Sequence, residues 1–190
     1  ETVETALRSL ERAYDRGNDG LIFSVGYSPS YFDRFSASLP DLVDLPGPKA
    51  LAEFEDPTFD RQDAVVHLAS DHAAVALAAE EALLGEKSKL NGVEMRASLA
   101  DVMETADRRT GFVGAGLPAD NQDVQGIPDS EPVPEEAPLY MGFKSGFEKN
   151  QAGEDRVTIR EGPVAGGTTQ HVSRIRLHLD QRYEQDGREQ

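Results

Sequence analysis

The chain has 190 residues, enough for one large domain or two small ones, and its 35 acidic and 19 basic residues give a formal net charge of −16. This charge argues against nucleic-acid phosphates and anionic lipids as partners. The chain contains no cysteine, which excludes disulfides and cysteine-bound metals, and no apolar run is long enough to insert into a membrane as a helix.

The acidic residues are spread along the chain, and most of its basic residues are arginines. The five lysines are Lys49, Lys87, Lys89, Lys144 and Lys149. A distributed acidic surface with little lysine favours a protein that stays soluble in concentrated salt, where the repulsion between its charges is screened. An ordinary acidic protein of a mesophile is the alternative.

The first predicted elements are a helix and a strand. From Thr2 to Arg16, apolar side chains recur at spacings of four, three and four residues, which predicts an amphipathic helix. The side chains of this stripe are Val3, Leu7, Leu10 and Tyr14. The apolar, β-leaning run from Leu21 to Tyr27 predicts a strand. Aromatic residues between 31 and 35 indicate a single helical turn after it.

A second group of elements follows a proline-rich loop over 39–59. The run from Asp63 to Ala69 predicts a strand. Asp71 is a suitable N-cap for the next helix, which Gly85 is expected to end. Alternating apolar residues from Val93 to Met103 predict a further strand.

The predicted order over residues 1–110 is α-β-loop-β-α-β. A strand before residue 1 would complete the βαββαβ pattern of a ferredoxin-like half with an antiparallel sheet, in an α+β fold. The chain begins at Glu1, and no signal peptide is visible. We therefore expect that the amino end, with the first strand of this half, has been removed.

The rest of the chain has two further segments. Residues 111–138 are crowded with glycine, proline and acidic residues and are expected to form a surface connection. Residues 139–190 are expected to begin a second ferredoxin-like half. Within them, alternating residues over 171–180 predict a strand, and the polar end, 181–190, is interpreted as the start of a helix.

Four stretches, taken in order, resemble segments of one enzyme family. The first two are VGYSPSYFDRF at 25–35, and PDLVDLPG at 40–47 followed by DAVVHLASDHAAV at 63–75. The last two are GFKSG at 142–146, and VSRIRLHLD at 172–180 after a glycine pair. In this order they resemble the dye-decolorizing haem peroxidases, including peroxidase-like proteins of halophilic archaea.

This resemblance implies a fold, a cofactor and substrates. The fold would be two ferredoxin-like halves with haem b between them, the haem lying on the second half. The substrates would be hydrogen peroxide and a small organic reductant. The resemblance also implies export in folded form by the twin-arginine route. The proximal histidine that binds the iron, and a distal arginine, are expected beyond Gln190.

The resemblance places Ser145 at the catalytic position of the family's Gly-Phe-x-Asp-Gly motif, where an aspartate helps to move a proton. A hydroxyl cannot act as a carboxylate base at neutral pH, although it can hold water or peroxide by hydrogen bonds. Three interpretations are open: a weak peroxidase that relies on the distal arginine, a haem binder without catalysis, or a structural turn in a protein without haem. The haem contacts implied by the resemblance are Gly142, Phe143, Lys144, Gly146, His171, Arg174 and Arg176.

Each basic residue of the second half has an alternative role. His171 could contact a haem propionate or could be an ordinary surface residue of a strand. Arg174, Arg176 and His178 alternate along one strand face, where they could bind propionates or form cross-strand salt bridges. A non-catalytic α+β module that binds a partner or assembles into a homo-oligomer is therefore the rival to a peroxidase.

The remaining polar residues suggest no metal site. His67 and His72 are expected to be ordinary strand and helix residues satisfied by neighbours. The acidic loop residues do not have the spacing of an EF-hand, so a solvated loop is expected rather than a calcium site. These loop residues are Asp120, Asp123, Asp129, Glu135 and Glu136.

Overall fold

A computed structural model of the chain describes residues 1–34, 48–50, 53, 55–59, 62–111, 114, 116–123, 133–138, 157–162, 164–168, 184–185 and 188–189. The chain divides into two compact units. The first comprises Glu1–Arg108 with Ile159–Gly167, and the second Arg109–Thr158 with Thr168–Gln190. The described elements mix helices with small sheets, and all strand pairs among them are antiparallel, as in an α+β protein.

The first predicted helix is confirmed as α1, Thr2–Ala13. Its buried face is formed by Ala6, Ser9, Leu10 and Ala13. The buried hydroxyl of Ser9 donates a hydrogen bond to the carbonyl oxygen of Thr5 at 3.0 Å, so its burial leaves no unsatisfied group. The helix ends before the predicted Arg16, because Tyr14 already has an extended backbone.

The two predicted strands are β1, Ile22–Tyr27, and β2, Ala64–Ala69. They pair antiparallel, with Ile22 opposite Ala69 and Tyr27 opposite Ala64. The expected helical turn after β1 is the short helix α2, Pro29–Phe32.

The two faces of this sheet differ, because side chains alternate along a strand. Phe23 of β1 and its neighbours Val66 and Leu68 of β2 pack against the core. On the opposite face, Val65 and His67 are exposed. The sheet therefore buries one face beneath helices, as the alternating pattern of β2 indicates.

The second long helix is α3, Ala73–Leu83, whose N-cap is His72 and not the predicted Asp71. The Asp71 amide instead donates to the carbonyl oxygen of Asn18 at 2.8 Å, which ties this turn to the α1–β1 loop. The hydroxyl of Ser70 accepts the amide proton of His72 at 3.1 Å. The helix therefore begins one residue later than the capping preference of Asp71 predicts.

The predicted strand Val93–Met103 is wrong over most of its length. Within that range only β4, Val93–Glu94, is a strand. It pairs with β3, Lys89–Leu90, in a short hairpin. Asn91 and Gly92 join the strands with positive φ angles of 47° and 81°, the geometry of a two-residue type I′ turn. The side-chain amide of Asn91 also donates to the carbonyl oxygen of Ala13 at 2.6 Å, which anchors the hairpin to the end of α1.

A capping box ends the extended segment after β4. The Ser98 hydroxyl accepts from the amide of Ala100 at 3.1 Å, and the carboxylate of Asp101 accepts from the amide of Ser98 at 3.4 Å. These bonds start a 3₁₀ helix, Leu99–Asp101. Leu99 is buried in this helix, and because a core-facing strand position is also apolar, its apolar character does not distinguish a helix from a strand.

In the second unit, the short helix α4 spans Leu117–Asp120. Near the end of the chain, β5, Glu184–Gln185, pairs antiparallel with β6, Arg188–Glu189. These strands contradict a helix starting in 181–190. The predicted strand over 171–180 lies outside the described residues. No helix within the described part of the chain is long and apolar enough to cross a membrane.

Candidate functional site

The haem contacts implied by the sequence lie outside the described residues. This applies to Gly142, Phe143, Lys144, Ser145 and Gly146 of the GFKSG motif. It applies equally to His171, Arg174 and Arg176, in the stretch for which a strand is predicted. Their roles stay predictions.

The glycine pair Gly166–Gly167 between those two stretches is described, and it closes a tight loop in the first unit. The amide of Ile159 donates to the carbonyl oxygen of Gly167 at 2.8 Å, and the amide of Gly166 donates back to Ile159 at 2.9 Å. These two backbone bonds give the pair a structural role in turning the chain.

The two described histidines are exposed. His67 lies on the open face of the β1–β2 sheet. His72 precedes α3, and its Nε2 lies 3.8 Å from a carboxylate oxygen of Asp19, itself fully exposed. His67 is thus a strand residue of β2, and His72 is the N-cap residue of α3.

The acidic loop residues of the second unit that are described are also exposed, namely Asp120, Asp123, Glu135 and Glu136. Asp129 lies outside the described residues. Within the described ranges, no three His, Asp or Glu side chains come together in a group that could hold a metal ion.

A groove of about 390 Å³ lies between α1 and β1 in the first unit. One wall is formed by the apolar side chains Val3 and Leu7 of the helix, and the other by Phe23, Val25 and Tyr27 of the strand. Its charged lining residues, all from α1, are Glu4, Arg8 and Glu11. Apolar walls with a few charged groups are the usual composition of a small-molecule site.

An aromatic cluster supports one end of this groove. The ring centroid of Tyr27 lies 4.7 Å from that of Tyr31 and 6.4 Å from that of Phe32, both in α2. Partial burial, with a smaller effect of Tyr31, raises the pKa of Tyr27 above its ordinary value. The Tyr27 side chain is therefore a neutral phenol at physiological pH. Its ring packs against the rings of Tyr31 and Phe32.

A smaller, polar cavity of about 250 Å³ lies beside the β3–β4 hairpin. Its lining includes Lys87 and Arg96, together with Ser98 and Asp101. Most of these groups already have partners within the protein: Lys87 pairs with Glu81, and the Ser98 hydroxyl donates to the carbonyl oxygen of Leu83. The cavity is accordingly a less suitable ligand site than the groove.

A two-point ion pair joins α3 to the segment after the 3₁₀ helix. The guanidinium of Arg108 donates from Nε to Oε1 of Glu80, and from Nη2 to Oε2 at 2.7 Å. The hydrogen bond from Arg108 holds the pKa of Glu80 below its ordinary value, although partial burial opposes it. The pair fixes the end of the first unit on α3.

We expect Glu80→Gln to destabilise the protein by under about 1 kcal/mol at neutral pH, because the pair is partly exposed. A carboxylate with a lowered folded-state pKa contributes stability above its unfolded-state pKa and loses it as the pH falls through the folded-state value. The difference in free energy of unfolding between the wild type and Glu80→Gln should therefore decrease as the pH falls. Urea unfolding between about pH 3 and 7 measures it.

Glu86→Gln is the matched control for this series, because Glu86 is exposed in the turn after α3 and makes no ion pair among the described residues. If the wild type stays more stable than Glu80→Gln by the same amount through the acid range, the ionised Glu80–Arg108 pair is not the source of that stability. The difference should also decrease in concentrated salt, which screens an exposed pair.

The sequence patterns did not reveal the groove as a site. Val3 and Leu7 were predicted as members of the apolar stripe of α1, and the strand was predicted without a functional role. A sequence signal does exist in the alternation of Phe23, Val25 and Tyr27 on one strand face. That signal identifies one face of β1, but only the structure shows that α1 lies beside this face.

Comparison with known proteins gives one match. Residues 1–190, the whole chain, match a family of unknown function (DUF7405). No curated protein and no solved structure matches the chain.

Proposed function

The chain thus belongs to the family of unknown function DUF7405, and for this member we propose a haem-dependent peroxidase-like activity. The substrates would be hydrogen peroxide and a small organic reductant. The observation that carries the proposal is the order of motifs in the second half of the sequence: GFKSG at 142–146, the glycine pair at 166–167, and the arginine-rich VSRIRLHLD at 172–180.

Part of the first unit follows the element order of the fold that this proposal requires, whereas the last strand of that order, expected over Val93–Met103, is replaced by the separate β3–β4 hairpin. Its elements follow the order α1, β1, β2, α3, with the short α2 after β1, and β1 pairs antiparallel with β2. This order is part of a βαββαβ unit. We propose that residues 1–110 form one ferredoxin-like half and that residues 139–190 begin a second one, with 111–138 connecting them.

The chemistry of the motif residues suits a haem. Two guanidinium groups, Arg174 and Arg176, are suitable partners for the two carboxylates of haem b, and His171 could add a third donor. Gly142 and Gly146 would allow the backbone to approach a flat ring closely. When bound, the haem would supply the redox chemistry that consumes peroxide. The iron ligand is not assigned to any residue of this chain.

Ser145 would lie on the distal side, where its hydroxyl can hold water or peroxide by hydrogen bonds. It cannot accept a proton as a carboxylate does at neutral pH. This one substitution favours a second candidate function: a haem-binding or partner-binding α+β module without peroxidase turnover.

The proposal predicts that full-length protein, titrated with haemin, develops a saturable Soret band. Arg174→Gln combined with Arg176→Gln should weaken haemin binding by at least about tenfold, since loss of each charge-assisted bond costs roughly 1.5–3 kcal/mol. Arg96→Gln, an exposed arginine of the first unit, is the matched control. A full-length protein whose mixture with haemin keeps the spectrum of free haemin would refute both the peroxidase and the haem-binding module.

A second measurement separates catalysis from binding. If Ser145 occupies the position of a proton-transferring carboxylate, Ser145→Asp should raise peroxide-dependent oxidation of an organic reductant by about 10²-fold or more. Ser145→Asn, which has similar size and no acid–base function, is the control. A haemin-loaded protein with no turnover in any of these variants would leave the non-catalytic module.

A further inference from the structure

We propose that the groove between α1 and β1 binds a small organic cation with an apolar or aromatic body. The proposal concerns the first unit alone and is independent of haem binding. It rests on the size of the groove, the apolar composition of its walls, the charges along α1 and the aromatic rings in the wall formed by β1.

The groove has the dimensions and walls of a small-molecule site. Its volume of about 390 Å³ falls within the roughly 300–1,000 Å³ typical of ligand pockets. Val3 and Leu7 face Phe23 and Val25 across it, and all four side chains remain partly exposed. An apolar body placed here would remove these surfaces from water, which is the main source of affinity for such a ligand.

The charges on α1 select the sign of the ligand. Both Nε and Nη2 of Arg8 donate to one oxygen of Glu4, at 3.0 Å and 2.7 Å, so this guanidinium is already paired. Glu11, one turn further along the helix, adds a second carboxylate to the lining. The lining therefore carries one negative charge in excess, and the net charge of −16 raises the local concentration of any cation.

The aromatic rings provide a second reason for a cation. The face of an aromatic ring carries negative charge density and attracts an ammonium group within about 6 Å. Phe23 and Tyr27 line the groove, and Tyr31 and Phe32 pack against Tyr27 and restrict its movement. Carboxylates beside aromatic faces are a general arrangement for binding organic ammonium ions.

Benzyltrimethylammonium is a suitable probe, because it joins an aromatic body to a permanent charge that does not titrate. Its uncharged carbon isostere, (2,2-dimethylpropyl)benzene, tests the contribution of the charge, and benzenesulfonate tests the opposite sign. Binding to the full chain is followed by chemical-shift changes of the groove residues. We expect the cation to bind at least about fivefold more tightly than the isostere, and benzenesulfonate to bind more weakly than both.

Two variants localise the binding. Glu11→Gln should weaken the cation about two- to fivefold and leave the isostere unchanged, whereas Phe23→Leu should weaken both ligands. Glu86→Gln removes the same charge from an exposed turn outside the groove and should have no effect on either ligand. Circular dichroism shows whether each variant is folded.

The salt dependence gives a further criterion. Near 0.1 M potassium chloride the Debye length is about 10 Å, and it falls to about 3 Å near 1 M. The preference for the cation over its isostere should therefore decrease in molar salt. Equal affinities of the two ligands at low salt, or shift changes confined to residues outside the groove, would overturn the proposal.

Discussion

Leu10→Ala is expected to lower the free energy of unfolding by about 2–5 kcal/mol, one of the largest effects of any single substitution in the first unit. Leu10 is completely buried on α1, in the cluster that includes Leu21, Leu83, Leu90 and Leu99. Removing three carbon atoms there loses apolar burial and leaves a cavity that close-packed neighbours fill only in part. Urea unfolding monitored by circular dichroism, at one fixed salt concentration, measures the loss.

Leu77→Ala is the matched control, because it makes the same chemical change on a helix. Leu77, on α3, is 46% exposed. We expect a change within about 0.5 kcal/mol, since alanine has the higher helix propensity and little burial is lost. Equal effects of the two substitutions would mean that α1 does not pack into the core as described.

The first helix could be predicted because the apolar residues around Leu10 recur at helical spacing, and β1 and β2 could be predicted because each is a short apolar run beside turn residues. Their ends were less accurate. Tyr14 continues the apolar spacing of α1 but is already extended, because the end of a helix depends on the tertiary contacts of the neighbouring loop as well as on apolar spacing.

The segment after α3 shows why the remaining predictions failed. Alternation from Val93 to Met103 indicates a strand, but Ser98 and Asp101 offer the backbone local hydrogen bonds that a sheet would have to replace. The Asn91–Gly92 pair is typical of a two-residue hairpin turn, but the prediction of a longer strand over Val93–Met103 did not take it into account. The helix α3 also begins one residue later than Asp71 predicts, and its N-cap His72 makes no side-chain capping hydrogen bond.

The groove depends on how a helix and a strand lie beside one another, which no local pattern contains. Val3 and Leu7 are core-type residues in sequence, yet the centre of the buried face of α1 is displaced towards Ala6 and Leu10. Val3 and Leu7 are therefore only partly buried, and both line the groove. The proposed haem contacts, in contrast, are inferred from the order of motifs along the sequence. Spectroscopy of the full-length protein with haemin is therefore their direct test.

Gly20→Ala is expected to destabilise the protein by about 3 kcal/mol, because the new methyl group has no space. A Cβ atom at Gly20 would lie 2.0 Å from the carbonyl oxygen of Asp15, a backbone atom that no side-chain rotation can move. That oxygen accepts the amide proton of Leu21 at 3.0 Å, which sets the path from α1 into β1. The substitution must therefore displace the first strand or break this turn.

Gly17→Ala, three residues earlier in the same loop, separates this steric effect from a general requirement for glycine. A Cβ atom at Gly17 would meet no other atom within 4 Å, and its φ angle is not positive. We expect Gly17→Ala to be neutral or slightly stabilising, because alanine reduces the entropy of the unfolded chain. Thermal unfolding of both variants at equal salt gives the comparison. If the two alanines have the same effect, the loop tolerates displacement, and the contact between residues 15 and 20 does not determine how β1 follows α1.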